Sequence, residues 1–236
     1  MKILAFDSSS KALSVALVDN DVLLGEITLN LKKNHSTTLM TSVDFLMHQS
    51  AVEASELDRI VVAQGPGSYT GLRLAATVGK TLAYSLNKDI VGVSSLFAIA
   101  RRLRTDRAIV PVMDARRGNA YAALYQGDKE VVPGQHCVFR EFLANLDKNL
   151  PIVFTGETEN FVADIEAAGF TNFEIIEDSL DKLPSAYQIA LFGKNLEPVA
   201  VHGFAPNYLK KVEAEEKWLE THEESENATG EYVQRV

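Results

Sequence analysis

The chain has 236 residues, of which 46% are hydrophobic, and this is enough apolar material for one or two ordinary cores. No run approaches the roughly 18 consecutive apolar residues of a membrane span, and the first residues are typical of a strand instead of a secretory leader. We therefore expect a cytoplasmic protein with no membrane partner. Cys137 is the single cysteine, which excludes an internal disulfide. The net charge of −9 is unsuited to binding RNA phosphates without help.

The first half of the chain alternates short β-branched runs with helical patterns. Three apolar runs separated by turn residues predict a meander of three strands. A helix, a strand, a second helix, another strand and a third helix follow. The predicted bounds are 3–6, 13–18 and 22–29 for the meander, 36–49, 70–86 and 95–103 for the helices, and 60–63 and 90–93 for the other strands.

The second half repeats this order. Asp7 and Asp114 each end the first strand of a predicted meander, and the twelve residues from each align without a gap and share three identities. The repeat predicts a duplicated α/β fold with lobes at 1–104 and 105–203. A C-terminal helix with an acidic tail, 204–236, is expected to pack back on the first lobe. Predicted strands of the second half are 108–113, 120–125, 131–139, 152–154 and 173–176, and predicted helices are 141–147, 161–168 and 187–195.

A glycine-rich turn follows the fourth predicted strand. Gly65 and Gly67 flank Pro66 where the backbone needs conformations that favour glycine. The next helix carries a strip of small residues at successive i+4 positions, which allows close approach of another element. That element could be the chain's own sheet or a helix of a partner protein, and the pattern leaves both open. The strip consists of Gly71, Ala75, Gly79 and Ala83.

Two strand-turn-strand units that each open with Asp resemble the actin-like superfamily, whose members bind a nucleotide between two related lobes. Within it, the run from Gly65 to Ala75 is similar to that of the TsaB (YeaZ) family. Supporting segments are Asp7 to Ser9, Asp114 to Arg117 with Tyr121 and Ala122, and Pro206 to Lys210, so the resemblance spans nearly the whole chain. Lys210 is a small departure, since Arg is commoner there.

The resemblance implies an accessory role in tRNA modification. TsaB-family proteins pair with TsaD-like subunits, which transfer a threonylcarbamoyl group to N6 of adenosine 37 in tRNAs reading codons that begin with A. A TsaE-like ATPase joins them. We expect this chain to be a non-catalytic, activating subunit that meets tRNA only through the complex. The alternatives are a free-standing actin-like kinase or ATPase and a purely structural homodimer.

Several positions depart from catalytic relatives. TsaD-like subunits carry a metal-binding His pair four residues apart, and the matching positions here are Ser95 and Ile99. The turn expected against adenosine, 154–158, has one glycine beside an acid, which is unfavourable near phosphates. We therefore expect no catalytic residue, no metal and no cofactor of its own, with ATP and metal handled by partner subunits. A vestigial nucleotide cleft would be formed by Asp7, Ser8, Ser9 and Asp114.

The resemblance also implies a partner surface on the first two helices. Two homologous lobes can pair almost isologously in a four-helix arrangement, so the free chain is expected to form a homodimer through the same face. Methionines there suit an adaptable interface. The predicted interface residues are Leu39, Met40, Val43, Leu46 and Met47 on the first helix and Gly71, Leu72, Ala75, Gly79 and Ala83 on the second.

Overall fold

The structure, a computed structural model, describes residues 1–31 and 35–210 and contains two five-stranded mixed sheets. The first sheet has the order β3-β2-β1-β4-β5, and the second has the order β8-β7-β6-β9-β10. The two orders are equivalent strand for strand, so the predicted duplication is confirmed. The strands are β1 Lys2–Asp7, β2 Ala12–Asp19, β3 Val22–Asn30, β4 Arg59–Gly65, β5 Asp89–Ser94, β6 Ala108–Asp114, β7 Asn119–Gln126, β8 Lys129–Val138, β9 Ile152–Gly156 and β10 Phe173–Ile175.

Each sheet combines an antiparallel meander with two parallel strands. In the first, β1 pairs antiparallel with β2 and parallel with β4. In the second, β6 pairs in the same two ways with β7 and β9. Strands β1, β2 and β4 are almost continuously buried, as expected where helices cover both faces. Asp7 and Asp114 end equivalent strands, so their sequence alignment corresponds to equivalent structural positions.

Six helices cover the described part of the sheets. Their bounds are α1 His35–Gln49, α2 Tyr69–Leu86, α3 Ser95–Ala100, α4 Phe139–Ala144, α5 Val162–Ala167 and α6 Ala186–Gly193. The third helix ends three residues earlier than predicted, because Arg102 and Leu103 donate to carbonyls three residues back and close a tight turn. No helix within the described ranges is long and apolar enough to cross a membrane.

One core joins the two lobes. Helix α3 contacts strands of the second sheet, whereas α6 lies against β1 and β2 of the first sheet. The hydrophobic cluster between the sheets therefore includes Ala5 and Val61 from one lobe and Ile109 and Val153 from the other. Helix α6, predicted within 105–203, packs mainly on the first sheet. The division into lobes at 104 remains a prediction.

The chain returns to the first lobe after α6. Asn207 N donates to Gln64 O at 2.7 Å, and the Tyr208 ring lies 5.1 Å from that of Tyr69. Residues 204–210 form neither helix nor strand, so the predicted C-terminal helix is wrong over this stretch. Its backbone is instead held by contacts to the β4–α2 turn. The remainder of that predicted helix and the acidic tail lie outside the described residues.

Candidate functional site

The glycine-rich turn between β4 and α2 joins three segments of the chain. Gly65 and Gly67 have φ values of +125° and +153°, which side chains strongly disfavour. A Cβ on Gly67 would collide with the carbonyl oxygen of Ser9, and one on Gly65 would collide with that of Asn207. Ser68 N also donates to Ser9 O at 2.6 Å. The motif therefore holds the turn after β1 and the returning chain end against the start of α2.

Asp7, the residue expected to face phosphates in active relatives, is fully buried. Its Oδ1 accepts a hydrogen bond from Ser9 N at 2.7 Å. Its Oδ2 has no hydrogen-bond partner among the described residues. Burial raises the pKa of this carboxyl from 3.8 to about 6, although the hydrogen bonds from Ser9 and the nearby His35 oppose the rise. Asp7 is thus enclosed by protein instead of being presented to a ligand.

A cavity of about 800 Å³ lies between the lobes and is lined by residues of both. Of the four residues predicted to form a nucleotide cleft, Ser9 and Asp114 line it. Asp7 and Ser8 do not, because both are buried behind the turn. Ser8 Oγ donates to Gly71 O at 2.9 Å, which ties it to α2. Only two of the four residues predicted for the nucleotide cleft therefore line the cavity.

Asp114 is engaged by its own lobe. Its Oδ1 accepts from Arg116 N at 2.7 Å, and its Oδ2 accepts from Asn160 Nδ2 at 2.8 Å. The turn after β9 contributes Glu157, whose Oε2 accepts from Asp114 N at 2.9 Å. The segment that would meet adenosine in active relatives is therefore hydrogen-bonded to the neighbouring strand end.

The positions that match the metal-binding His pair lie inside the protein. Ser95 and Ile99 are both buried in α3, with exposed fractions of 0% and 3%. Ser94 caps this helix through its side chain, which accepts from Phe97 N at 3.4 Å. Across the residues that the structure describes, no group of three His, Cys, Asp or Glu side chains is arranged to hold a metal ion.

The strip of small residues on α2 faces inward, which corrects its prediction as a partner surface. Gly71, Ala75, Gly79 and Ala83 are all buried, and so is Leu72. A Cβ on Gly79 would lie 2.6 Å from Val62 Cγ2 and 3.3 Å from Ile90 Cδ1. The small side chains therefore let α2 approach its own sheet, the other alternative that the sequence left open.

The predicted residues on α1 divide between core and surface. Leu39, Val43 and Leu46 are buried in the core of the first lobe, and of the three only Val43 also lines the groove described below. Met40 is 44% exposed, and Met47 is half-buried. The prediction that Met40 and Met47 lie on the accessible side of α1 is correct. The prediction assigned more of this helix to the surface than the structure exposes.

Met40 and Met47 border an apolar groove of about 380 Å³ between α1 and α2. The other helix contributes Leu82 and Leu86, which sequence reasoning missed. These leucines belong to a half-buried i+4 row that begins at Leu74, and that spacing was visible in the sequence. We call this feature the α1–α2 groove.

A family model described as "TsaD: tRNA N6-adenosine threonylcarbamoyltransferase" matches residues 22–218. The tRNA threonylcarbamoyladenosine biosynthesis protein TsaB of Bacillus subtilis strain 168 is 39% identical over 94% of this chain and 99% of that protein. The chain belongs to the TsaB (YeaZ) family. TsaB of Escherichia coli K12 is 29% identical over 55% of this chain and 57% of its own length.

Solved structures agree with this fold. YeaZ from Pseudomonas aeruginosa superposes with a TM-score of 0.71 at 24% identity, covering 88% of this chain and 99% of that one. A second Pseudomonas aeruginosa structure, of an uncharacterized protein with similarity to peptidase YEAZ, has a TM-score of 0.76 at 24% identity, over 89% and 99%. The predicted α/β fold of duplicated actin-like lobes is confirmed, and the family places the chain in tRNA threonylcarbamoyladenosine biosynthesis.

Proposed function

We propose that this chain is a non-catalytic subunit that binds and activates a TsaD-like enzyme for threonylcarbamoylation of adenosine 37 in tRNA. A TsaE-like ATPase completes the complex, and the partner subunits handle ATP and metal. The observation that carries the proposal is the burial of Ser95 and Ile99 in the positions of the catalytic His pair. Neither side chain can serve as an imidazole ligand, and neither lines the interlobe cavity.

The state of the interlobe cavity supports this division of labour. A phosphate-binding Asp must be exposed to its ligand, whereas Asp7 is fully buried. Glu157 adds a second carboxylate to the cavity beside Asp114. Carboxylates in a confined site repel a nucleotide polyphosphate. These features disfavour the alternative of a free-standing kinase or ATPase.

The α1–α2 groove is the surface that we assign to the TsaD-like partner. Its exposed Met40 and half-buried Met47 and Leu82 combine an apolar rim with adaptable side chains. Phe45, on the same helix α1, is also more than half exposed. Exposed apolar side chains beside an apolar groove are typical of an interaction surface. A second copy of the chain would cover the same groove when the partner is missing.

A charge placed in the groove tests this assignment. We expect Met40→Glu to weaken partner binding about tenfold or more, because an unpaired carboxylate would be desolvated in an apolar interface. The same variant should reduce any homodimer of the free chain. Isothermal titration with the TsaD-like protein of the same genome measures the first effect, and native mass spectrometry measures the second.

The matched control is Val131→Glu, since Val131 is 42% exposed on β8 of the other lobe. It introduces the same charge and should leave partner binding unchanged. Circular dichroism establishes that both variants are folded. A folded Met40→Glu variant with wild-type affinity would remove the groove from the interface.

A further inference from the structure

The lining of the α1–α2 groove combines apolar side chains with acidic ones and lacks basic ones. Asp44 of α1 and Glu53 of the segment after α1 are exposed residues of this lining. The lining contains one further titratable group, His48. In the part of the chain that the structure describes, no Lys or Arg lines the groove. The groove therefore differs from the interlobe cavity, where basic and acidic side chains are mixed.

The two carboxylates of the groove have no cation of their own. Asp44 and Glu53 form no ion pair within residues 1–31 and 35–210. Lys88 lies close to the end of the groove, but its Nζ donates to Ser55 O at 2.8 Å, and Lys88 is not part of the lining. The negative charge is therefore available to the molecule that covers the groove.

Asp44 lies in the middle of the outward stripe of α1. Met40 precedes it by four residues and Met47 follows it by three, and residues at these spacings share one side of a helix. All three line the groove. A partner that covers the methionines therefore also covers Asp44 and removes its carboxylate from water. This burial is unfavourable unless the partner places a cation against the carboxylate.

A second copy of the chain cannot supply that cation from the same groove. In a twofold contact, the same surface patch of each copy meets its equivalent. Each copy would bring two carboxylates and no Lys or Arg to the shared interface. Like charges brought together at short range repel each other, and such contacts are one way in which proteins reject a wrong partner.

We propose that the α1–α2 groove selects a partner helix that places a Lys or Arg opposite Asp44, and that the same carboxylate weakens pairing with a second copy of this chain. An amphipathic helix with a row of apolar residues fits an apolar groove between two helices. A basic residue within that row supplies the counter-charge that the groove lacks. This inference rests on the proposed function, because it names the chemistry by which the groove recognises the TsaD-like partner.

The variant Asp44→Asn removes the charge and keeps the shape of the side chain. We expect its affinity for the TsaD-like protein to fall about tenfold, because the partner's cation is then buried without a counter-charge. The partner affinity of the variant should also depend less on salt concentration than that of the wild type. Self-association should change in the opposite direction and strengthen about tenfold, because two like charges leave the interface.

Isothermal titration at two salt concentrations measures partner binding, and sedimentation equilibrium measures self-association. The matched control is Asp106→Asn, since Asp106 is exposed, is not a groove residue and forms no ion pair with the described residues. It makes the same change in net charge and should leave both equilibria unchanged. Circular dichroism establishes that both variants are folded.

The outcomes separate this inference from the proposed function. If the wild-type chain does not bind the TsaD-like protein, the proposed function is wrong. If the wild type binds and Asp44→Asn binds with the same affinity and the same salt dependence, the proposed function stands and the selection of a cation by Asp44 is wrong. Self-association of Asp44→Asn that is no stronger than that of the wild type, including none by either protein, would overturn the discrimination against a second copy.

Discussion

Replacing Asp7 by Asn tests whether this carboxyl is an enclosed structural group. In the wild type, the folded state raises the pKa of Asp7 from 3.8 to about 6. Each pKa unit corresponds to about 1.36 kcal/mol, so the ionised form disfavours folding by about 3 kcal/mol at neutral pH. The residue is fully buried, so this penalty needs no reduction for solvent screening.

The direction of the pH dependence follows from proton binding. Between pH 4 and pH 6 the folded protein binds the Asp7 proton more tightly than the unfolded chain does. The free energy of unfolding therefore falls as the pH rises through this window, and the loss is complete above the folded pKa. Asparagine does not titrate, and its side-chain oxygen can still accept from Ser9 N. The stability of Asp7→Asn relative to wild type should therefore rise by about 2.5 kcal/mol between pH 4 and pH 7.

Urea denaturation of both proteins at several pH values provides the measurement. The difference between the two profiles isolates Asp7, because every other titrating group is present in both proteins. Partner binding at neutral pH should be unchanged, since Asp7 lies outside both the cavity lining and the α1–α2 groove. A stability difference that is constant with pH would show that Asp7 is solvated and would refute its enclosure.

Two further variants test packing. Gly79→Ala should lower the free energy of unfolding by about 1 kcal/mol, because crowding against Val62 outweighs the gain in helix propensity. The control Thr81→Ala, at an exposed position of the same helix, should be neutral or stabilising. Urea denaturation measures both variants, and a stabilising Gly79→Ala would contradict the inward orientation of the strip. Arg102→Met should cost about 3 kcal/mol, since it removes the cation paired with Glu26 Oε2, and both side chains are only 14% exposed. The double variant Arg102→Met/Glu26→Gln should lose less stability than Arg102→Met does, as measured by thermal unfolding. An equal or larger loss of stability would contradict the ion pair.

Most of the helices and strands could be predicted from the sequence because the patterns that indicate them are local. The helix predicted at 36–49 is observed as His35–Gln49, and the strand predicted at 60–63 extends to Arg59–Gly65. Apolar periodicity, turn residues and a repeated Asp at a strand end do not depend on distant parts of the chain. The glycine turn was also predictable, since positive φ at Gly65 and Gly67 is a backbone requirement.

Which side of each helix faces the core was harder to predict from the sequence. A strip such as Gly71–Ala75–Gly79–Ala83 has the same spacing whether it meets a sheet or a partner helix, and only the position of Val62 decides between them. The placement of α6 on the first sheet depends on tertiary packing that crosses between the lobes. Burial of Asp7 likewise follows from how the β4–α2 turn closes over it, which no local pattern encodes.

Reconstituted tRNA threonylcarbamoylation tests the accessory role most directly. The reaction combines this chain with the TsaD-like and TsaE-like proteins, ATP, the threonylcarbamoyl donor and tRNA, and each protein is omitted in turn. Modified adenosine is measured by mass spectrometry of digested tRNA. We predict product only in the presence of both this chain and the TsaD-like protein, and none from this chain alone, with ATP hydrolysis by the isolated chain negligible. Modification by the isolated chain, or modification at the full rate in its absence, would contradict the proposal that it activates another subunit's catalysis.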